Sequence, residues 1–157
     1  MPEKRTLKYL RKMTNDDLTD VMSVELSAYP YPWKQKNFED CLMNNSYLCW
    51  VLELNESDKK ICGHVVLSAA VGEAHILNIC VHPDEQGKGW GRKILQEAEW
   101  VAKQHQAEDC FLEVRSSNKI GLSLYESVGY NEIGLRKAYY PTDKGREDAV
   151  IMAKSLF

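Results

Sequence analysis

Between Val81 and Arg92 the chain reads Val-His-Pro-Asp-Glu-Gln-Gly-Lys-Gly-Trp-Gly-Arg, so Gly87, Gly89 and Gly91 fall where an apolar extended run stops and a helical pattern starts. No other feature constrains the fold as much. Glycine reaches positive φ and lets backbone approach a ligand closely. The unpaired N–H groups at a helix N-terminus, helped by the helix dipole, favour an anion such as a pyrophosphate. Lys88 and Arg92 add positive charge at the same place. The dinucleotide fingerprint needs G-x-G-x-x-G inside a parallel strand–helix–strand unit, whereas this loop follows what reads as an antiparallel meander. The P-loop pattern fails too, since no G-K-[ST] follows.

The meander consists of three predicted strands, 47–54, 61–69 and 74–81, separated by the turn-rich Asn55-Glu56-Ser57-Asp58 and by Gly72. Before it, Thr14-Asn-Asp-Asp offers caps and early acidic charge to a helix carrying Leu18, Val21, Met22 and Leu26 at helical spacing. Tyr29-Pro30-Tyr31-Pro32-Trp33 ends that helix, because each proline lacks a donor and biases its predecessor away from α. A short second helix is expected near 35–43. After the glycines, Ile94, Leu95, Ala98, Val101 and Ala102 share one helical face as far as His105. A strand at 110–115, a helix at 119–127 closing on Gly129, and strands at 130–136 and 149–153 complete a mixed, mostly antiparallel α/β fold.

The 157 residues, 44% of them hydrophobic, suit one domain spanning 1–157. With 23 acidic against 20 basic residues the net charge is −3, which supplies no basic excess for a phosphate backbone, so direct nucleic-acid binding is not expected. The five cysteines, Cys41, Cys49, Cys62, Cys80 and Cys110, form no C-x-x-C pair and read as reduced, buried thiols. No metal-ligand spacing stands out, and no apolar run suits a signal peptide or a membrane span. A cytoplasmic, monomeric protein is expected.

At Gln86-x-x-Gly89-x-Gly91 the chain resembles the GCN5-related N-acetyltransferase (GNAT) superfamily. Leu112-Glu-Val-Arg-Ser-Ser-Asn118, Leu124-Tyr-Glu-Ser-Val-Gly-Tyr130, Ala138-Tyr-Tyr-Pro-Thr-Asp143 and Gly145-Arg-Glu-Asp-Ala149 are similar to its RimI branch, as is Pro32-Trp33. That branch acetylates the N-terminal alanine of a small-subunit ribosomal protein. The resemblance implies a single GNAT-type domain that binds acetyl-coenzyme A in the splay between two central strands. In it the loop Gln86, Gly87, Lys88, Gly89, Trp90, Gly91, Arg92 would hold the pyrophosphate, and Ile79-Cys80-Val81 would pair with the pantetheine arm. Cys80 stands where the pattern commonly has alanine, and Trp90 where it has leucine or isoleucine.

Acetyl transfer to an amine needs a neutral nucleophile, a polarised carbonyl and a proton for the departing thiolate. Glu113 is a carboxylate between apolar strand neighbours. By itself it reads first as an edge-strand or ion-paired residue, with Arg115 the near partner; the resemblance implies a general base. Tyr125 reads as a packed aromatic, and the resemblance implies the general acid. Asn118 can cap the following helix or bind the pantetheine amides. A covalent route through Cys80 is the competing mechanism, with His82 on the same strand face. At neutral pH roughly a tenth of an α-amine, with pKa near 7.7–8.0, is neutral, against under a thousandth of a lysine near 10.4. A modest carboxylate base therefore suits a chain end. The implied substrate is the basic N-terminus of a ribosomal protein, with Trp33, Tyr139 and Asp143 in the flanking loops. A lysine or small-molecule acetyltransferase and a non-catalytic acetyl-coenzyme A binder are the alternatives.

Overall fold

The computed structural model describes residues 7–55 and 61–157. The predicted turn residues Glu56, Ser57 and Asp58 lie outside them. In chain order the elements are β1 (Leu10–Lys12), α1 (Leu18–Ala28), α2 (Gln35–Leu42), β2 (Tyr47–Glu53), β3 (Ile61–Ala70), β4 (Glu73–Val81), α3 (Trp90–Gln104), β5 (Asp109–Arg115), α4 (Lys119–Val128), β6 (Asn131–Thr142) and β7 (Gly145–Ser155). They build one seven-stranded sheet in the order β1-β2-β3-β4-β5-β7-β6. The expected meander is present as antiparallel β2, β3 and β4. Among the described residues only β4 and β5 run parallel, as a strand–helix–strand crossover through α3 requires.

Each face of the sheet carries a core. On one, α3 presents the predicted Ile94, Leu95, Ala98 and Ala102 to a core with Val65, Leu67, Leu112 and Met152, and Val101 is buried as well. On the other, Val21, Phe38, Val51 and Val66 are fully enclosed between α1, α2 and the sheet. Helix α1 departs from the predicted stripe. Leu26 is 61% exposed, and Val24 and Glu25 take the inner positions. A carboxylate faces inward there because it is fully partnered: Glu25 accepts from His64 Nε2 at 3.0 Å, from Asn78 Nδ2 at 3.2 and 3.1 Å, and from the Trp33 N–H at 2.9 Å.

The last hairpin is longer than the sequence pattern indicated. β6 is almost entirely exposed along its length, so it lacks the apolar alternation that would reveal a strand. Its pairing with β7 skips between Arg136 and Tyr140, where Ala138 takes φ 52°. The three-residue β1 was also not anticipated. It is held by β2 and by Glu97, whose carboxylate accepts the N–H groups of Lys8, Tyr9 and Leu10.

Candidate active site

β4 and β5 pair only from Glu73–Ile76 to Asp109–Leu112, although β4 runs on to Val81 and β5 to Arg115. The cause lies on the other edge of β4. Its register with β3 shifts between Val66 and Leu67, leaving Leu77 as an extra residue, and such a bulge bends the strand that carries it. Beyond the bulge β4 opens away from β5, and the expected splay results.

The His82 N–H donates to Cys62 of β3 at 2.7 Å, so antiparallel alternation turns the N–H and C=O groups of Ile79 and Val81 toward the splay. The backbone of Cys80 faces β3 instead, opposite His64, so Ile79 and Val81 are the residues of this strand that can pair with an extended ligand arm. The Tyr29 hydroxyl donates to the Ile79 carbonyl, and Gln86 Nε2 donates to the Val81 carbonyl at 2.9 Å.

The glycine loop ends at the start of α3. Gly87 and Gly89 take φ of 79° and 88°, which side chains rarely tolerate. Gly91 allows α4 to approach: a Cβ there would lie 3.0 Å from Leu124 Cδ2. Lys88 reaches Glu85 at 3.1 Å, and Arg92 reaches the Ser127 hydroxyl at 2.9 Å, so both charges stay at the exposed rim. Trp90 packs its ring edge-on to Tyr9 at 5.4 Å, under the Lys93 ammonium. Its side chain braces the N-terminal segment, and what it offers a ligand is its backbone N–H.

On β5, Cys110, Leu112 and Val114 face the α3 core while Glu113 and Arg115 take the other face. Glu113 pairs with Arg136 at 3.1 Å, not with Arg115 as the sequence suggested. A strand places i and i+2 side by side but facing the same way, and Arg115 turns instead to Glu147 at 2.9 Å. Tyr125 is buried on α4, its ring edge-on to Tyr130 at 6.1 Å, and its hydroxyl makes no hydrogen bond among the described residues. Burial pushes its ionisation above the ordinary tyrosine range, with the Tyr140 and Cys80 groups adding to the effect. Burial likewise raises Tyr29, and with the neighbouring Glu113 it pushes Tyr140 up to about 12. Asn118 Oδ1 accepts the Gly121 N–H at 2.9 Å, the expected cap, which leaves its Nδ2 as the group available to a ligand.

Cys80 is a poor nucleophile. Its thiol donates to the Val24 carbonyl at 3.8 Å, and burial, with Glu25 nearby, raises its ionisation well above the usual thiol range. His82 spends Nδ1 on the Asp84 N–H at 3.1 Å. Cys80→Ala is therefore expected to keep acetyl transfer. Abolished turnover in that variant, measured with saturating thioester, would restore the covalent route. Glu25, His64 and Cys80 bring ligand-type atoms within 4.8 Å of one another, but Glu25 and the Cys80 thiol are already committed to the hydrogen bonds above.

Comparison with known proteins agrees with this geometry. The model of the GNAT acetyltransferases matches residues 17–130. The chain belongs to the GNAT acetyltransferase family. It is 35% identical to the [ribosomal protein bS18]-alanine N-acetyltransferase of Escherichia coli K12, over 92% of this chain and 95% of that one. It is 33% identical to the protein of the same name from Haemophilus ducreyi, over 94% and 99%. The crystal structure of the Escherichia coli ribosomal-protein-S18-alanine N-acetyltransferase superposes with a TM-score of 0.84, covering 94% of this chain and 92% of that one.

Within this GNAT domain the two predicted substrate loops meet. Trp33 packs on Phe38 at 5.1 Å and serves the small core, whereas Tyr139 is 44% exposed beside Tyr140 and Arg136. The exposed Asp143 donates its N–H to the Tyr31 hydroxyl at 3.1 Å. Glu25 is not singled out by the sequence, Tyr29, Tyr31 and Tyr140 enter there only as members of the two aromatic loops, and Arg115 only as a partner for Glu113. The available signal was weak: a carboxylate at an inner position of α1, and tyrosines flanking prolines in a loop.

Proposed function

We propose that this chain transfers the acetyl group of acetyl-coenzyme A to the α-amine of an N-terminal alanine on a small-subunit ribosomal protein, by direct transfer in the cytoplasm. The observation that carries the reading is the end of β4–β5 pairing at Ile76 and Leu112, which opens a slot at the end of β5 that carries Glu113, with Tyr125 buried on the α4 helix that follows. The residues fit the thioester substrate. Ile79 and Val81 turn backbone groups into the slot, and the glycine loop and α3 N-terminus suit its pyrophosphate. The thioester supplies an activated acetyl group.

Glu113 takes the proton that the incoming ammonium must shed, directly or through a water, and Tyr125 gives its hydroxyl proton to the departing sulfur. Burial keeps Tyr125 protonated across the neutral range, which an acid requires. Asp143, exposed in the hairpin, suits an arginine at the second position of a basic peptide. The identity to enzymes named for alanine at the bS18 terminus supports this substrate over a free amine.

The test is incubation with acetyl-coenzyme A and a peptide beginning Ala-Arg that also contains an internal lysine, followed by tandem mass spectrometry. Acetyl on the α-amine is expected. Acetyl on the lysine alone sinks the N-terminal assignment. Glu113→Gln is expected to lower kcat/KM at pH 7 by roughly 10²- to 10⁴-fold. Because the base serves an amine titrating near 7.7–8.0, the deficit should shrink as the pH rises through about 8. A deficit that is constant from pH 6.5 to 9.5 would show that Glu113 does something other than remove this proton.

A further inference from the structure

The Arg115 guanidinium lies 4.3 Å from the ring centre of Tyr31 and 4.4 Å from that of Tyr140, one ring from the α1–α2 loop and the other from the β6–β7 hairpin. Its Nη1 donates to the Pro141 carbonyl at 3.0 Å and to Glu147 at 2.9 Å. Tyr31 adds a second tie by accepting the Asp143 N–H. These contacts join two segments more than a hundred residues apart, and they do so next to Glu113, two residues earlier on the same strand face and so roughly 6.6 Å away. We propose that Arg115 is a positioning residue: it locks the 29–33 loop to the β6–β7 hairpin as the two walls of the peptide cleft, and so sets peptide affinity without entering the chemistry. The inference rests on the peptide-substrate reading above.

Two features favour this role over that of an ordinary ion pair. A surface pair needs no aromatic partner, whereas this guanidinium lies over two tyrosine rings at once, and the planar stacking that a guanidinium makes there is one a lysine ammonium cannot reproduce. Glu147 also offsets a positive charge that would otherwise oppose a cationic amine arriving at Glu113, and Arg115 holds the Glu147 carboxyl below its ordinary range, so the pair stays ionised at neutral pH.

The experiment compares wild type, Arg115→Lys, Tyr31→Leu and the double variant. Arg115→Lys keeps the charge and should raise the KM for the Ala-Arg peptide roughly tenfold, the size of a lost stacked cation contact. The KM for acetyl-coenzyme A should stay in place, and kcat should move less than the peptide KM. Tyr31→Leu should do the same, and the double variant should be no worse than either single change, because both break one stack. Hydrogen exchange on the substrate-free protein reads the lock itself. In Arg115→Lys the amides of Tyr31, Tyr139, Tyr140 and Asp143 should exchange faster together, while those of β4 do not. Unchanged or independent exchange in the two segments overturns the proposal, as does a parallel rise of both KM values with a lowered Tm. If wild type fails to acetylate the peptide, the substrate reading falls, and the exchange result still decides whether Arg115 couples the loops.

Discussion

Tyr125→Phe is expected to lower kcat for acetyl transfer by roughly 10²- to 10⁴-fold, the usual worth of a positioned acid. The variant isolates the hydroxyl. The ring of Tyr125 is buried, edge-on to Tyr130, and phenylalanine keeps that packing. Since the hydroxyl makes no hydrogen bond among the described residues, its removal orphans no partner, and Tm should hardly change. Acetyl-coenzyme A should still bind, because the slot and the glycine loop are untouched. The loss therefore belongs in kcat, measured at saturating thioester and peptide. A kcat close to wild type would sink the acid assignment and leave Tyr125 as a core aromatic. The pH profile gives a second reading. Burial raises this tyrosine above its ordinary range, so its ionisation should cause no fall in kcat up to about pH 10, the unperturbed tyrosine value. A falling limb below pH 10 that vanishes in Tyr125→Phe would contradict the effect of burial.

Gly63→Ala is expected to destabilise the fold and weaken thioester binding together. A Cβ at this point of β3 would lie 2.8 Å from the Cys80 carbonyl oxygen and 3.2 Å from Ile94 Cδ1. The first is backbone and cannot rotate away, so β4 must shift where it opens from β5, or β3 must shift from β2. Overpacking of this kind costs about 1–3 kcal/mol. For a chain of this length that corresponds to a fall in Tm of several degrees, at about 2–4 °C for each kcal/mol. Because Cys80 lies between the two residues that face the slot, the KM for acetyl-coenzyme A should rise as well. Gly134→Ala serves as the comparison, since its nearest neighbour would be Ile151 Cδ1 at 3.7 Å, ordinary contact. If Gly63→Ala melts and binds thioester like wild type, β4 is more compliant than its packing indicates.

Apart from the three-residue β1, the order of elements was readable in the sequence because most have a local signature. Short apolar runs bounded by turn residues mark β2, β3 and β4, a 3.6 period marks α3, Asn118 and Gly129 bracket α4, and glycines stand at the loop that needs positive φ. The full length of the last hairpin, beyond the strands expected at 130–136 and 149–153, was not legible because an exposed strand carries no alternation, and Leu26 was misplaced because Glu25 competes for the inner face once His64 and Asn78 arrive from β3 and β4. Glu113 and Tyr125 could be named only through the resemblance, since a carboxylate in a strand and a tyrosine on a helix are chemically ambiguous until their surroundings are known.

The sequence by itself determined the strand–glycine loop–helix unit and the residues at each of its positions, since backbone conformation and hydrophobic period are local properties. Only the tertiary structure decided that β4 leaves β5 at Ile76, that Glu113 pairs with Arg136 while Arg115 pairs with Glu147, and that Tyr31 and Tyr140 close on one guanidinium. Those outcomes depend on a bulge opposite β3 and on contacts between segments far apart in the chain, and no local pattern records which distant partner a side chain will meet.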